Sequence, residues 1–342
     1  MDDESGSQLS KKERGVKMAK PKVAFYWCSS CGGCEEAVVD LNEDILKVAD
    51  AVDIVFWPVA MDFKKRDVEA LGNGEIAVSF INGAVRTEEQ DEMAKLLRAK
   101  SGLVVAFGSC AHLGGIPGLG NFWTRDTIFQ RVYKETPSTE NPEGTLPQKK
   151  TGIGIGELVL PEFYDTVKTL DQTIPVDYYL PGCAPPPDLI MNAINAILTG
   201  TLPKKGAVLA PEKSLCSTCP RNESKPEGFS IKEIKRPWEV KIDPNKCFLV
   251  QGLICLGPAT RSGCGERCIR ANMPCRGCFG PIEGVVDQGV RALSAIACLL
   301  GLEGEKDMKA EDVQKLVEQI VDPAGTFYRF TLPSSLFRRS IG

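Results

Sequence analysis

Fourteen cysteines, most of them set in short spacings, constrain this chain more than any other feature. A reducing compartment does not sustain enough disulfides to pair them all in a chain of 342 residues. Thiols arranged as C-x2-C pairs and tight runs are instead the pattern of metal ligation, so the fold has to bring them together. His112 is the only histidine, which excludes His-rich zinc or di-iron chemistry and any catalytic triad not built on that residue.

Between residues 22 and 200, apolar runs alternate with helical patterns. Strands are predicted at Lys22–Trp27, 53–57, 75–80, 103–107 and 176–180. Helices are predicted at 35–49, Glu88–Lys100, 162–170 and 185–198, the last with proline in its first turn. The LVVAF run at 103–107 is apolar throughout, as a strand covered on both faces must be. The alternation predicts an α/β fold, a flavodoxin-like doubly wound parallel sheet.

Past residue 205, Cys, Gly and Pro dominate, and only 283–302 reads as a good helix. This part is expected to be irregular and stabilised by metal clusters, because so little regular structure does not bury enough apolar surface by itself. The expected division is a disordered tail at 1–20 (Met18 being a candidate original start), a sheet domain at 21–205 and an iron–sulfur domain at 206–342.

Cys31 and Cys34 in CGGCEE, Cys110 in GSCAHLGG and Cys183 in PGCAPPP each follow a predicted strand. The carboxyl ends of parallel strands share one edge, so these four thiols are expected to converge in a crevice and supply the ligands of a cubane cluster. A helix starting near Cys34 would direct its N-terminal dipole at that anionic cluster. In the second part, Cys264, Cys268, Cys275 and Cys278 form one set in CGERCIRANMPCRGC, and Cys216, Cys219, Cys247 and Cys255 form another. Cys28 and Cys298 are left over; the first reads as an inert, partly buried thiol and the second as a packed core thiol. His112 reads as a hydrogen-bonded structural residue. Zinc ribbons are the alternative for the C-terminal eight, but they leave the convergent four unexplained.

The net charge of −4 and a pI near 5.4 argue against a nucleic-acid partner. No apolar run approaches the roughly 18 residues of a membrane span. The first 20 residues are polar and charged, without the apolar segment of a secretory signal and without a twin-arginine pattern, so a cytoplasmic location is expected.

From Val23 onward the chain resembles the small subunit of nickel–iron hydrogenases. CGGCEE, GSCAHLGG and PGCAPPP are similar to that family's three proximal-cluster motifs, and the C-terminal array is similar to its medial and distal motifs. TPSTENPEGTLPQ and LDQTIPVDYYLPGC resemble most closely the cytoplasmic methyl-viologen-reducing type, which does not reduce the deazaflavin coenzyme F-420. The resemblance implies three 4Fe-4S clusters: proximal on Cys31, Cys34, Cys110 and Cys183; medial on Cys264, Cys268, Cys275 and Cys278; distal on Cys216, Cys219, Cys247 and Cys255. Many periplasmic members have His at the position of Cys216 and Pro at that of Cys268; the added thiolates here should lower both potentials.

The same resemblance implies an electron-transfer subunit of an oxidoreductase acting on hydrogen, with no catalytic residue of its own and the nickel–iron centre in a separate large subunit. Its acceptor would be an iron–sulfur adaptor feeding a flavin-containing heterodisulfide reductase. Glu36 matches an acidic residue near the subunit interface, making it a candidate proton relay. Three rivals stand beside this reading: the cluster subunit of an NADH–quinone oxidoreductase, a sulfhydrogenase delta subunit, and a zinc-stabilised interaction module. The first of these families uses an adjacent Cys–Cys pair and lacks the C-terminal eight; this chain contains no Cys–Cys pair.

Overall fold

Alternation along Lys22–Trp27 sends Val23 and Phe25 to one side and Ala24 to the other, and all three are buried. Burial on both faces is what a central parallel strand requires. The computed structural model describes residues 19–300 and 310–337. Its strands are β1 (Lys22–Trp27), β2 (Asp53–Phe56), β3 (Ile76–Asn82), β4 (Val85–Thr87), β5 (Ser101–Phe107), β6 (Lys150–Ile153), β7 (Gly156–Val159), β8 (Phe163–Lys168) and β9 (Tyr178–Leu180). Five of them form one parallel sheet in the order β2-β1-β3-β5-β9. Renumbered within the sheet, that is the doubly wound order 2-1-3-4-5, with its switch point between β1 and β3. The expected α/β architecture is the one found.

Helices Gly33–Val39, Asp44–Ala51 and Pro187–Thr199 cover one face, where Val38, Val48 and Ile190 pack on Phe25, Phe80 and Phe107. Glu88–Lys100 covers the other, placing Met93, Ala94 and Leu97 against Ala24, Ile81 and Val104. That helix starts at a capping box in which the Thr87 hydroxyl accepts from Gln90 N and the Gln90 side chain accepts from Thr87 N. Burying a side chain such as Leu97 completely contributes about 1.5–3 kcal/mol.

Three predicted helices come out differently. The stretch 35–49 is broken into two helices at Asn42, whose φ of 53° lies in the left-handed region that Asn tolerates. Residues 162–169 are not helical. They hold β8, antiparallel to β4, because Phe163, Tyr164, Thr166 and Val167 suit a pleated surface and Asn121 pairs with both polar groups of Val167, at 2.9 and 2.8 Å. The 283–302 helix is confined to Gln288–Ala297, since the Asp287 side chain caps it by accepting from Val290 N; Leu302 lies outside the described residues. A further helix, Ala310–Glu318, has no counterpart among the predicted elements. Of the predicted tail, 1–18 lies outside the described residues.

After residue 205 the chain first runs beside β9, with Tyr179 N donating to Ala207 O and Leu209 N donating to Tyr179 O. A second apolar core follows, formed by Leu215, Phe248, Leu249, Leu253, Ile269, Ile296 and Phe327, with Cys247, Cys255 and Cys275 buried among them. Short turns thus supply this part with an apolar core in which cysteine side chains take part. The last described turn packs back on the sheet part, where Gly115 N donates to Phe330 O and Gln172 Nε2 to Pro333 O. Among the described residues no helix is long and apolar enough to cross a membrane.

Candidate cluster-binding sites

None of the fourteen cysteines is in a disulfide. Cys31 and Cys34 follow β1, Cys110 follows β5 and Cys183 follows β9, all at the carboxyl edge of the sheet. The structure brings these four thiols together. Burial pushes the Cys34 thiol far up, and the charges of Cys110, Cys183, Cys31 and Glu35 add to the effect. Cys110 is pushed up to about 12, by burial first and then by Cys183 and Cys31, against a hydrogen bond from Ile116 N. Burial and the charge of Cys31 likewise raise Cys183. Thiols that oppose one another's ionisation at one place need a cationic centre before all four can become thiolates.

The backbone is shaped for a bulky guest. Gly108, at φ 85°, opens the turn after β5, and any side chain there would collide with Cys34 Sγ. Cys34 and Cys110 are buried while Cys31 and Cys183 are exposed, so one side of the site opens on the surface. Exposed Trp27 and Ile116 stand beside these cysteines, the Trp27 ring against Gly32 and the Ile116 backbone at Cys110.

The C-terminal eight lie in two neighbourhoods, one around Cys264, Cys268, Cys275 and Cys278 and one around Cys216, Cys219, Cys247 and Cys255. Cys275 is pushed up to about 12, by burial and then by Cys278, and Cys264 also raises it; hydrogen bonds from Gly277 N and the Thr260 hydroxyl oppose the rise. Cys264 is raised by burial and by Glu266 and Cys268, against the N–H groups of Glu266 and Arg267. Cys216, Cys219, Cys247 and Cys255 line one pocket of about 310 Å³ of empty space, part of it open to solvent. A side chain at Gly257 would stand only 3.2 Å from Cys216 Sγ and 3.6 Å from Cys255 Sγ, so glycine there keeps the pocket free.

Two contacts join the three groups end to end. The Cys278 thiol, pushed up to about 12 by burial, feels the charge of Cys183 and accepts a hydrogen bond from Cys183 N. The Cys255 thiol, pushed up by burial and next by Cys275, accepts from the N–H groups of Gly257 and Cys275. Among the described residues, no three His, Cys, Asp or Glu side chains stand close enough to share a single metal ion. A cubane spreads its four thiolates over four irons, wider than the roughly 3.8 Å between sulfurs on one tetrahedral zinc.

Other predicted residues fall as follows. Cys28 is buried, with its thiol pushed up by burial. Cys298 is exposed, not packed in a core: Gln288, Gly289, Ala292 and Ile296 make the buried face of its helix, and Cys298 follows on the opposite side. His112 sits 4.5 Å from the Tyr179 ring, and its Nδ1 is enclosed without a hydrogen-bond partner, contrary to the expected hydrogen-bonded role. Burial, with Arg261 nearby, lowers it to about 3, so it is neutral. Glu36 is exposed in the first turn of its helix.

Glu35, which sequence reasoning missed, is 3% exposed and accepts from Trp57 Nε1 and, at 2.6 Å, from Asn82 Nδ2. Burial raises its carboxyl despite both bonds. Arg221 and Lys225 were also missed. Both line the pocket of Cys216, Cys219, Cys247 and Cys255, and their positive charge just after a C-x2-C pair was the available signal.

Residues 31–197 match the family described as NADH ubiquinone oxidoreductase, 20 Kd subunit. The chain is 39% identical over 324 residues, 94% of its length and 98% of the relative's, to the iron-sulfur subunit of the F420-non-reducing hydrogenase of Archaeoglobus profundus. It is 39% identical over 323 residues, 94% of its length and 97% of the relative's, to the corresponding F420-non-reducing hydrogenase subunit of Methanothermobacter thermautotrophicus. Among solved structures, a chain of the NiFeSe hydrogenase from Desulfovibrio vulgaris Hildenborough is similar with a TM-score of 0.49 and 19% identity, covering 79% of this chain and 96% of that one.

Proposed function

This chain belongs to the family of F420-non-reducing hydrogenase iron–sulfur subunits, and from that premise we propose that it carries electrons between a hydrogen-activating centre in a large subunit and an external acceptor. The reading assigns Cys31, Cys34, Cys110 and Cys183 to a proximal 4Fe-4S cluster, Cys264, Cys268, Cys275 and Cys278 to a medial one, and Cys216, Cys219, Cys247 and Cys255 to a distal one. The donor set fits such groups: thiols only, in fours, packed so that they repel without a cation, around glycines that leave room. When bound, clusters of this kind supply one-electron carriers; the chain supplies their spacing and surroundings.

One observation carries the reading. The three groups of thiols are linked in line, by Cys183 N to Cys278 Sγ and by Cys275 N to Cys255 Sγ. A single stabilising zinc knuckle would not need such a series. The surface opening at Cys31 and Cys183, with exposed Trp27 and Ile116 beside it, suits coverage by the large subunit, and the exposed Glu36 is the proton-relay candidate. The division at 21–205 and 206–342, a cytoplasmic location and an iron–sulfur adaptor with a heterodisulfide reductase as acceptor belong to the same proposal. Iron and acid-labile sulfide analysis after anaerobic purification tests it. About twelve irons per chain, four per cubane, are expected; stoichiometric zinc without sulfide would overturn it.

A further inference from the structure

We propose that Arg221 and Lys225 form a cationic cradle that raises the reduction potential of the distal cluster and offsets the extra thiolate of Cys216. The inference rests on the ligand reading above. Lys225 Nζ lies 3.7 Å from Cys216 Sγ and is steadied by Asn222 Oδ1 at 2.7 Å. Arg221 is 5% exposed; its Nη2 donates to Ile269 O at 3.0 Å and to Asn272 Oδ1 at 2.9 Å, and its guanidinium lies 4.3 Å from the centre of the Phe248 ring. Its Nη1 is buried without a partner in the lining of the four-cysteine pocket.

Neither cation forms an ion pair with a carboxylate among the described residues; Asp243, whose carboxyl feels Arg221, pairs with Lys246 instead. A buried guanidinium with an unmatched donor is costly unless an anion faces it. Four thiolates on an iron–sulfur core are such an anion. Reduction adds one negative charge to that core, so neighbouring cations favour the reduced state. An all-cysteine ligand set acts in the opposite direction, and the two effects partly cancel.

The test is a potentiometric titration, followed by EPR, of the complete hydrogenase complex carrying Lys225→Gln, Arg221→Gln or both. The distal signal is identified as the one perturbed by Cys216→Ser. At a fixed ambient potential, each Gln variant with full iron content should lower the reduced-to-oxidised ratio of that signal by about tenfold, or about 59 mV for one electron. Lys225→Arg should retain the wild-type ratio within about threefold. Full iron with an unchanged ratio in the Gln variants would overturn the cradle. Should Arg221→Gln lose its distal irons, the half-buried Lys225 decides, a lowered ratio supporting the proposal and an unchanged one refuting it. Wild-type protein without its twelve irons would refute the ligand reading itself, a separate result seen before any variant is made.

Discussion

The backbone N–H of Cys183 donates a hydrogen bond to the sulfur of Cys278, so a loop at the edge of the parallel sheet is tied directly to the cysteine-rich C-terminal part. Ser109 reinforces the joint by donating its hydroxyl to the carbonyl of Cys278. A second joint of the same kind, from Cys275 N to Cys255 Sγ, lies between the other two groups. Each sets the backbone N–H of one cysteine against the sulfur of another group, and both depend on backbone held by tertiary packing.

Cys183→Ser should remove the proximal cluster, lowering iron by about four per chain, and should abolish hydrogen-dependent viologen reduction by the assembled enzyme. Cys298→Ala, at an exposed position, should leave both unchanged. Iron analysis and a dye assay on the two variants in parallel check the assignment; equal activity would defeat it.

Gly108→Ala should mimic the loss of a ligand without touching one. Its φ of 85° disfavours any side chain, and the new methyl group would press on Cys34 Sγ. Reduced proximal iron is expected, with the medial and distal EPR signals retained. Full proximal occupancy in this variant would show that the turn does not control the site.

Ser109→Ala removes the donor to Cys278 O at a position 1% exposed. Leaving that carbonyl unpaired should cost about 1–3 kcal/mol. Denaturant unfolding under anaerobic conditions measures it, and a change within error would mean that the joint is held by other contacts.

Asp177 gives the sheet part an acid-sensitive lock. Burial alone would raise its carboxyl, but Lys205, Arg98 and Val104 N, at 2.6, 2.6 and 2.8 Å, outweigh burial and hold it below the ordinary range. A folded-state pKa below the unfolded value of about 3.9 gives stabilisation that is complete above that value and is lost as pH falls through the folded one. Asp177→Asn should therefore cost roughly 2 kcal/mol near neutrality, below the 3–5 of a fully buried pair. Paired unfolding curves from pH 7 downward should show a constant difference to about pH 5 and a shrinking one below 4. A gap that widens on acidification would reverse the sign of the argument.

The positions of the sheet strands and the α/β fold class were legible in the sequence because they rest on local chemistry. Apolar runs such as LVVAF mark buried strands, and parallel strands leave their following loops at one edge, so the segments carrying Cys31, Cys34, Cys110 and Cys183 fall on the same edge of the sheet. Where local pattern and packing compete, the local pattern pointed the wrong way. Residues 162–170 became β8 because β4 and Asn121 offered partners from far along the chain, and Cys298 turned outward because the pitch of its helix spent the buried face on Ala292 and Ile296. The cations Arg221 and Lys225 in the pocket of Cys216, Cys219, Cys247 and Cys255, and the hydrogen bonds linking the thiol groups, depend on distances of a few ångströms between remote loops. Composition and spacing determined which chemistry this protein handles; only the tertiary contacts, where short-range forces act between remote segments, decided how its sites are joined and tuned.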